Sequence, residues 1–193
     1  IGPEMTPWLG RALDGMTTAP QLRLLAAEGT FRQEFDAKDA HDHGHEESHD
    51  QAHAEDGHDE GHDEEGHDHS GTDPHAWLDP ANAAHWLGLI AGELSKLDPD
   101  NAATYAANAE AAKADLAALD AEIAASLAGV KSTPLVVYHN AYGYFAGHYG
   151  LTVAAAIADG EAAGPGAHHI AEIEDLLKSG PVCLFPEVNH DPK

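Results

Sequence analysis

Pro134-Leu135-Val136-Val137-Tyr138-His139-Asn140-Ala141-Tyr142-Gly143-Tyr144-Phe145 is the stretch on which the fold turns. Its first half is an unbroken apolar run, the pattern of a strand buried on both faces of a parallel sheet. Asn140 to Tyr149 then reads as a helix, Leu151 to Ile157 as a second strand, Ala167 to Ser179 as an amphipathic helix and Pro181 to Phe185 as a closing strand. This alternation predicts an α/β fold with a parallel sheet.

Upstream, Ala109, Ala112, Leu116, Leu119, Ile123 and Leu127 recur at steps of three and four, which predicts one helix from about Pro99 to Ala128. At about 1.5 Å per residue it is about 45 Å long, more than the width of a small lobe, so it either spans a large domain or ties two lobes together. Gly129 is placed to cap its end. Before it, Asp79 can cap a helix whose first residue is Pro80, with Ala84, Leu87, Ile90, Ala91, Leu94 and Leu97 as its apolar face and Asp98-Pro99 as its stop. Met5, Trp8, Leu9, Ala12, Leu13 and Met16 predict an opening helix, halted by Thr17-Thr18-Ala19-Pro20; Gln21 to Ala27 is apolar and of no assigned type. The chain opens abruptly at Ile1-Gly2-Pro3-Glu4-Met5 and closes on His190-Asp191-Pro192-Lys193, so both ends read as cut.

Between Phe35 and Trp77 the pattern is different. No Val, Ile, Leu, Met, Phe, Tyr, Trp or Cys occurs there, while His41, His43, His45, His49, His53, His58, His62, His67, His69 and His75 do. A run of this kind buries no core and is expected to be a solvated, disordered loop over about 36–72. Acidic residues interleave with the imidazoles, and an unperturbed His pKa of about 6.5 leaves those rings mostly neutral and able to ligate near pH 7. Neutral imidazole suits zinc, copper, nickel and iron, so the tract reads as an anionic sponge for transition metals. A plain acidic linker, a pH sensor or an expression tag are the alternatives. The irregular spacing argues against a tag, and units such as Gly57-His58-Asp59-Glu60-Gly61-His62-Asp63-Glu64 look duplicated from within.

Lys and Arg number 9 against 34 Asp and Glu, a formal net charge of −25, which makes nucleic acid and anionic membranes poor partners. No run of about 18 apolar residues is present, so no membrane insertion is expected. Cys183 is the one cysteine: alone it is a packing residue, or half of a pair whose other member is not in this sequence. Two histidines stand apart from the tract's interior. His75 directly precedes a helix start, and His139 directly follows a buried strand, where open parallel sheets present ligand-binding groups. Either could equally be a hydrogen-bonded or surface His, the reading given to His85, His148, His168, His169 and His190.

Asp73-Pro74-His75-Ala76-Trp77-Leu78-Asp79-Pro80, followed by two helices and then Tyr138-His139-Asn140-Ala141-Tyr142-Gly143-Tyr144-Phe145, closely resembles the periplasmic zinc-uptake solute-binding proteins of ABC transporters, the ZnuA type. The likeness runs on through Tyr149-Gly150-Leu151, Gly164-Pro165-Gly166-Ala167 and Cys183-Leu184-Phe185-Pro186-Glu187, and back to Gly2-Pro3-Glu4-Met5, and the acidic His loop lies where that family carries one.

The resemblance implies two β/α lobes joined by one long rigid helix, with the metal in the cleft between them. Residues 1–98 would belong to the first lobe, 99–129 to the linking helix and 130–193 to the second lobe. It implies His75 as the first-lobe ligand and His139 as the second-lobe ligand, with further ligands outside this sequence, since Zn²⁺ takes about four. It also implies a later cysteine as partner of Cys183, in keeping with an oxidising periplasm. Manganese-specific relatives place a carboxylate at the position of His139, and imidazole there favours zinc. The expected function is capture of periplasmic Zn²⁺ and delivery to an ABC permease by a monomer, with a periplasmic zinc chaperone as a further partner. His41, His43, His45, His49, His53, His58, His62, His67 and His69 would be weak accessory sites that concentrate zinc near the cleft. The alternatives are a manganese or other divalent-metal carrier of the same family and a His-rich storage or chaperone protein. An enzyme is not expected: no His-Glu-x-x-His occurs, and His41-Asp42-His43-Gly44-His45 lacks the apolar support that fixes catalytic geometry.

Overall fold

The computed structural model describes residues 7–15, 20–34, 71–158, 166–180 and 182–187. The His tract from His41 to His69 and His190 lie outside them. The first helix, α1 (Pro7–Asp14), is followed after 20–34 by a tight turn at Ala76–Leu78 and by α2 (Pro80–Leu97). Asp79 caps α2 as expected, its side chain accepting from the Ala81 N–H at 2.8 Å, with Pro80 in the first turn where no N–H is needed. Pro99–Asn101 makes a single tight turn, and α3 runs over Ala102–Leu127. At that turn the Asp98 carboxylate accepts from Asn101 Nδ2 and from the Tyr105 hydroxyl, both at 2.8 Å, and the Asn101 bond first of all holds it below its usual pKa.

Of the 26 residues of α3, 13 are Ala, so high intrinsic propensity builds this helix although Ala109 is its one fully buried residue. Its small side chains let it pack closely along α2. At its far end Ile123 and Leu127 instead pack against the core of the sheet. The long helix thus spans from α2 to the sheet.

Three strands follow: β1 (Leu135–His139), β2 (Val153–Ala158) and β3 (Cys183–Phe185), alternating with α4 (Gly143–Tyr149) and α5 (Ala167–Ser179). The sheet is fully parallel in the order β2-β1-β3, with β1 central. Val136 and Val137 are at most 2% exposed, which is why this strand reads as a continuous apolar run instead of an alternating one. Leu135, Val137, Ala146, Tyr149, Leu151 and Ala156 form the core. Chain direction reverses between the β1 to β2 and β2 to β3 connections, so β1 and β3 flank a topological switch point, the place where such sheets bind ligands. His139 ends β1 there.

Some boundaries differ from expectation. Helix α4 starts at Gly143, not Asn140, because the His139 carbonyl accepts from the Ala141 N–H at 2.8 Å and turns the chain first. Gly129 does not end α3 in the left-handed conformation: Ala128 closes it with right-handed angles and two further tight turns carry the chain to Thr133. The left-handed glycine cap is Gly150, at φ 66°, after α4. Residues 20–34 form turns and extended chain with no helix or strand, and Glu34 pairs with Thr72 in an isolated antiparallel bridge. No described helix is long and apolar enough to cross a membrane.

Candidate metal centre

His75 and His139 lie 64 residues apart in sequence, and the fold brings their Nε2 atoms to 3.3 Å. The ring planes are 77° apart with centroids at 5.2 Å. Asp73 fixes the first ring: its Oδ1 is 2.7 Å from His75 Nδ1 and also accepts from the His75 N–H at 2.9 Å. Both residues are buried, at 6% and 4% exposure, so the carboxylate is held where it makes Nδ1 the protonated nitrogen and leaves a lone pair on Nε2. The Trp77 ring covers the same imidazole with centroids 5.3 Å apart. His139 is held by its position at the end of the central strand.

The segment carrying His75 is laced from several sides. Asn82, 2% exposed on α2, accepts from the Phe31 N–H and donates to the carbonyls of Phe31 and Ala76. Trp86 Nε1 donates to Thr30 Oγ1, and His85 Nε2 meets the Glu28 carbonyl at 2.9 Å. Positions 82, 85 and 86 share one face of α2, which therefore carries residues 28–31 as a strap. The Tyr144 hydroxyl accepts from the Gln33 N–H at 2.8 Å and donates to the Asp73 carbonyl at 3.0 Å. Burial above all holds the Tyr144 phenol above its usual pKa, which keeps that hydroxyl a donor.

Two imidazole nitrogens on corners of a zinc tetrahedron, with bonds of about 2.0 to 2.1 Å, lie about 3.3 to 3.4 Å apart. The 3.3 Å separation here matches that, and the Asp73 carboxylate behind His75 is the outer partner a metal-binding imidazole ordinarily has. The donor chemistry fits a divalent ion that accepts nitrogen ligands. Among the described residues no group of three or more His, Cys, Asp or Glu converges on one metal position.

Of the remaining histidines, His168 is a surface residue at 88% side-chain exposure. His169 ties α5 to β2 through Nε2 and the Ala156 carbonyl at 2.7 Å. His148, in the last turn of α4, bridges two carboxylates: Nδ1 to Asp79 Oδ1 and Nε2 to Asp120 Oδ1, each at 3.0 Å. Asp73, Tyr144 and His148 carry roles that sequence reasoning did not assign. The spacing Asp73-x-His75 could have pointed to the first; nothing local pointed to the other two.

The Zn(II)-bound structure of an AdcAII variant from Streptococcus pneumoniae matches 96% of this chain and 61% of its own at a TM-score of 0.68, a likeness of fold alone at 21% identity. A mutant of the laminin-binding adhesin Lmb from Streptococcus agalactiae is 33% identical, covering 63% of this chain and 47% of its own at a TM-score of 0.57. The high-affinity zinc uptake system protein ZnuA of Paracoccus denitrificans is 54% identical over 125 residues, 64% of this chain and 38% of its own length. The match therefore spans well under half of that relative. The family described as zinc-uptake complex component A, periplasmic, matches residues 1–193, and the chain belongs to it.

Proposed function

We propose that the protein of which this chain forms part captures Zn²⁺ in the periplasm and delivers it to the permease of an ABC transporter. The observation that carries the reading is the meeting of His75 Nε2 and His139 Nε2 at 3.3 Å, with Asp73 behind, in a chain of the zinc-uptake family. His75 and His139 are the primary ligands, and further ligands come from outside this sequence. The names of relatives support zinc, and so does imidazole in place of a carboxylate at position 139. In this reading 1–98 and 130–193 are parts of two lobes and 99–129 is the helix between them. The protein acts as a monomer and binds without catalysing a reaction.

Histidines 41 to 69 serve as weak accessory sites; Glu34 and Thr72, which flank the tract in sequence, pair in a bridge next to Asp73. The test is zinc titration of the full-length protein with a competing chelator, beside His75→Ala and His139→Ala. Loss of one tight equivalent in both variants, with weak equivalents surviving, is the expected result. Tight binding in both variants overturns the assignment and leaves a storage protein.

A further inference from the structure

The two imidazoles come from distant segments, so something must hold those segments in register. Helix α4 is placed to do it. It begins four residues after His139, and one of its faces lies on the segment that carries His75. Tyr144 and His148, one turn apart, reach that segment on either side of His75: the Tyr144 hydroxyl donates to the Asp73 carbonyl at 3.0 Å, and His148 Nδ1 meets Asp79 Oδ1 at 3.0 Å. Gly143 and Gly147, a second pair one turn apart, let the helix backbone come close. A Cβ at 143 would sit 3.2 Å from Asp73 Oδ2 and from Gln33 Oε1, and one at 147 would sit 3.0 Å from Gln33 Nε2. His148 also reaches Asp120 on α3 through Nε2 at 3.0 Å, so the contact is braced against the long helix.

We propose that α4 is a clamp that sets the separation of the two metal-binding imidazoles, with Tyr144 and His148 as positioning residues. The inference rests on His75 and His139 being zinc ligands. Neither Tyr144 nor His148 touches the ion; both act by fixing the residues two before and four after His75. The clamp favours a small tetrahedral ion, because it holds the Nε2 atoms at one edge of a zinc tetrahedron before metal arrives.

The experiment uses the full-length protein with Tyr144→Phe, His148→Ala and His148→Asn, and with His75→Ala as reference. Zinc affinity is measured against a chelator, and the d–d absorption of the Co²⁺-loaded protein reports ligand geometry. His148→Ala and Tyr144→Phe should each weaken zinc by up to about tenfold, less than loss of a group bonded directly to a ligand imidazole, and should change the Co²⁺ bands. His148→Asn returns an N–H near the Nδ1 position and should recover most of the affinity. Unchanged affinity and Co²⁺ bands in His148→Ala, with only a lower melting temperature, overturn the clamp while leaving the site reading intact. Tight zinc binding in His75→Ala overturns both. If Tyr144→Phe does not fold, the two His148 variants still decide.

Discussion

Asp73 illustrates how one side chain can organise a centre without standing at it. Its Oδ1 accepts from both the Nδ1 and the backbone N–H of His75, its carbonyl accepts from Tyr144, and its own N–H donates to the Gln33 carbonyl at 2.8 Å. Removing the carboxylate frees the ring to rotate and to switch tautomer. Asp73→Ala should therefore weaken zinc about tenfold to a hundredfold in a chelator competition, while Asp73→Asn, which keeps an acceptor oxygen and loses the charge, should cost less. Trp77 covers the same ring and is 39% exposed, so its contribution is packing on one side only. His75 and His139 were visible as candidates from where they stood relative to a helix and a strand. Tyr144 and His148 were not assigned, because the partners of the first are 33 and 73 and those of the second 79 and 120, and no local pattern reports such pairings; Asp73, two residues before His75, was within reach of a local reading.

At the scale of elements, α4 links the sheet to the rest of the chain. Its inner side supplies Ala146 and Tyr149 to the core, while residues 143, 144 and 148 meet the His75 segment and 147 faces Gln33. Burial, then the neighbouring Asp120 carboxylate, pushes the Tyr149 phenol up to about 12 from an ordinary 10.0. The fold favours the neutral phenol, so its stabilising contribution is complete below pH 10 and is lost as pH rises through about 12. Tyr149→Phe should accordingly flatten the alkaline unfolding limb between those values, followed by circular dichroism. An unchanged limb would mean another group drives alkaline unfolding. The strands and α5 were legible because apolar runs and amphipathic periodicity are local signals; α5 spans Ala167–Ser179 as read. The start of α4 was misplaced by three residues because the turn at His139 to Ala141 is set by a single backbone hydrogen bond that any residue can make. Gly129 misled for a related reason: a glycine near a helix end permits a left-handed cap but does not require one.

For the whole molecule, the net charge of −25 attracts cations, and Glu34 and Thr72, which flank the His tract in sequence, pair next to Asp73. In the proposed reading, the histidines of the tract act as weak accessory sites that concentrate zinc for the paired imidazoles. Deleting 39–70 from the full-length protein should remove the low-affinity zinc equivalents and leave one tight equivalent by calorimetry; loss of the tight site would show that tract and cleft are not separable. By itself the sequence determined the α/β class, the order of helices and strands and the burial of the strand at Leu135. These follow from short-range periodicity and from hydrophobic burial, which act residue by residue along the chain. Tertiary structure alone decided that His75 and His139 meet at 3.3 Å and that Tyr144 on α4 reaches the Asp73 carbonyl. Those are contacts across 64 to 71 residues, fixed by strand order and helix packing, and they become defined only when the separate elements close on one another.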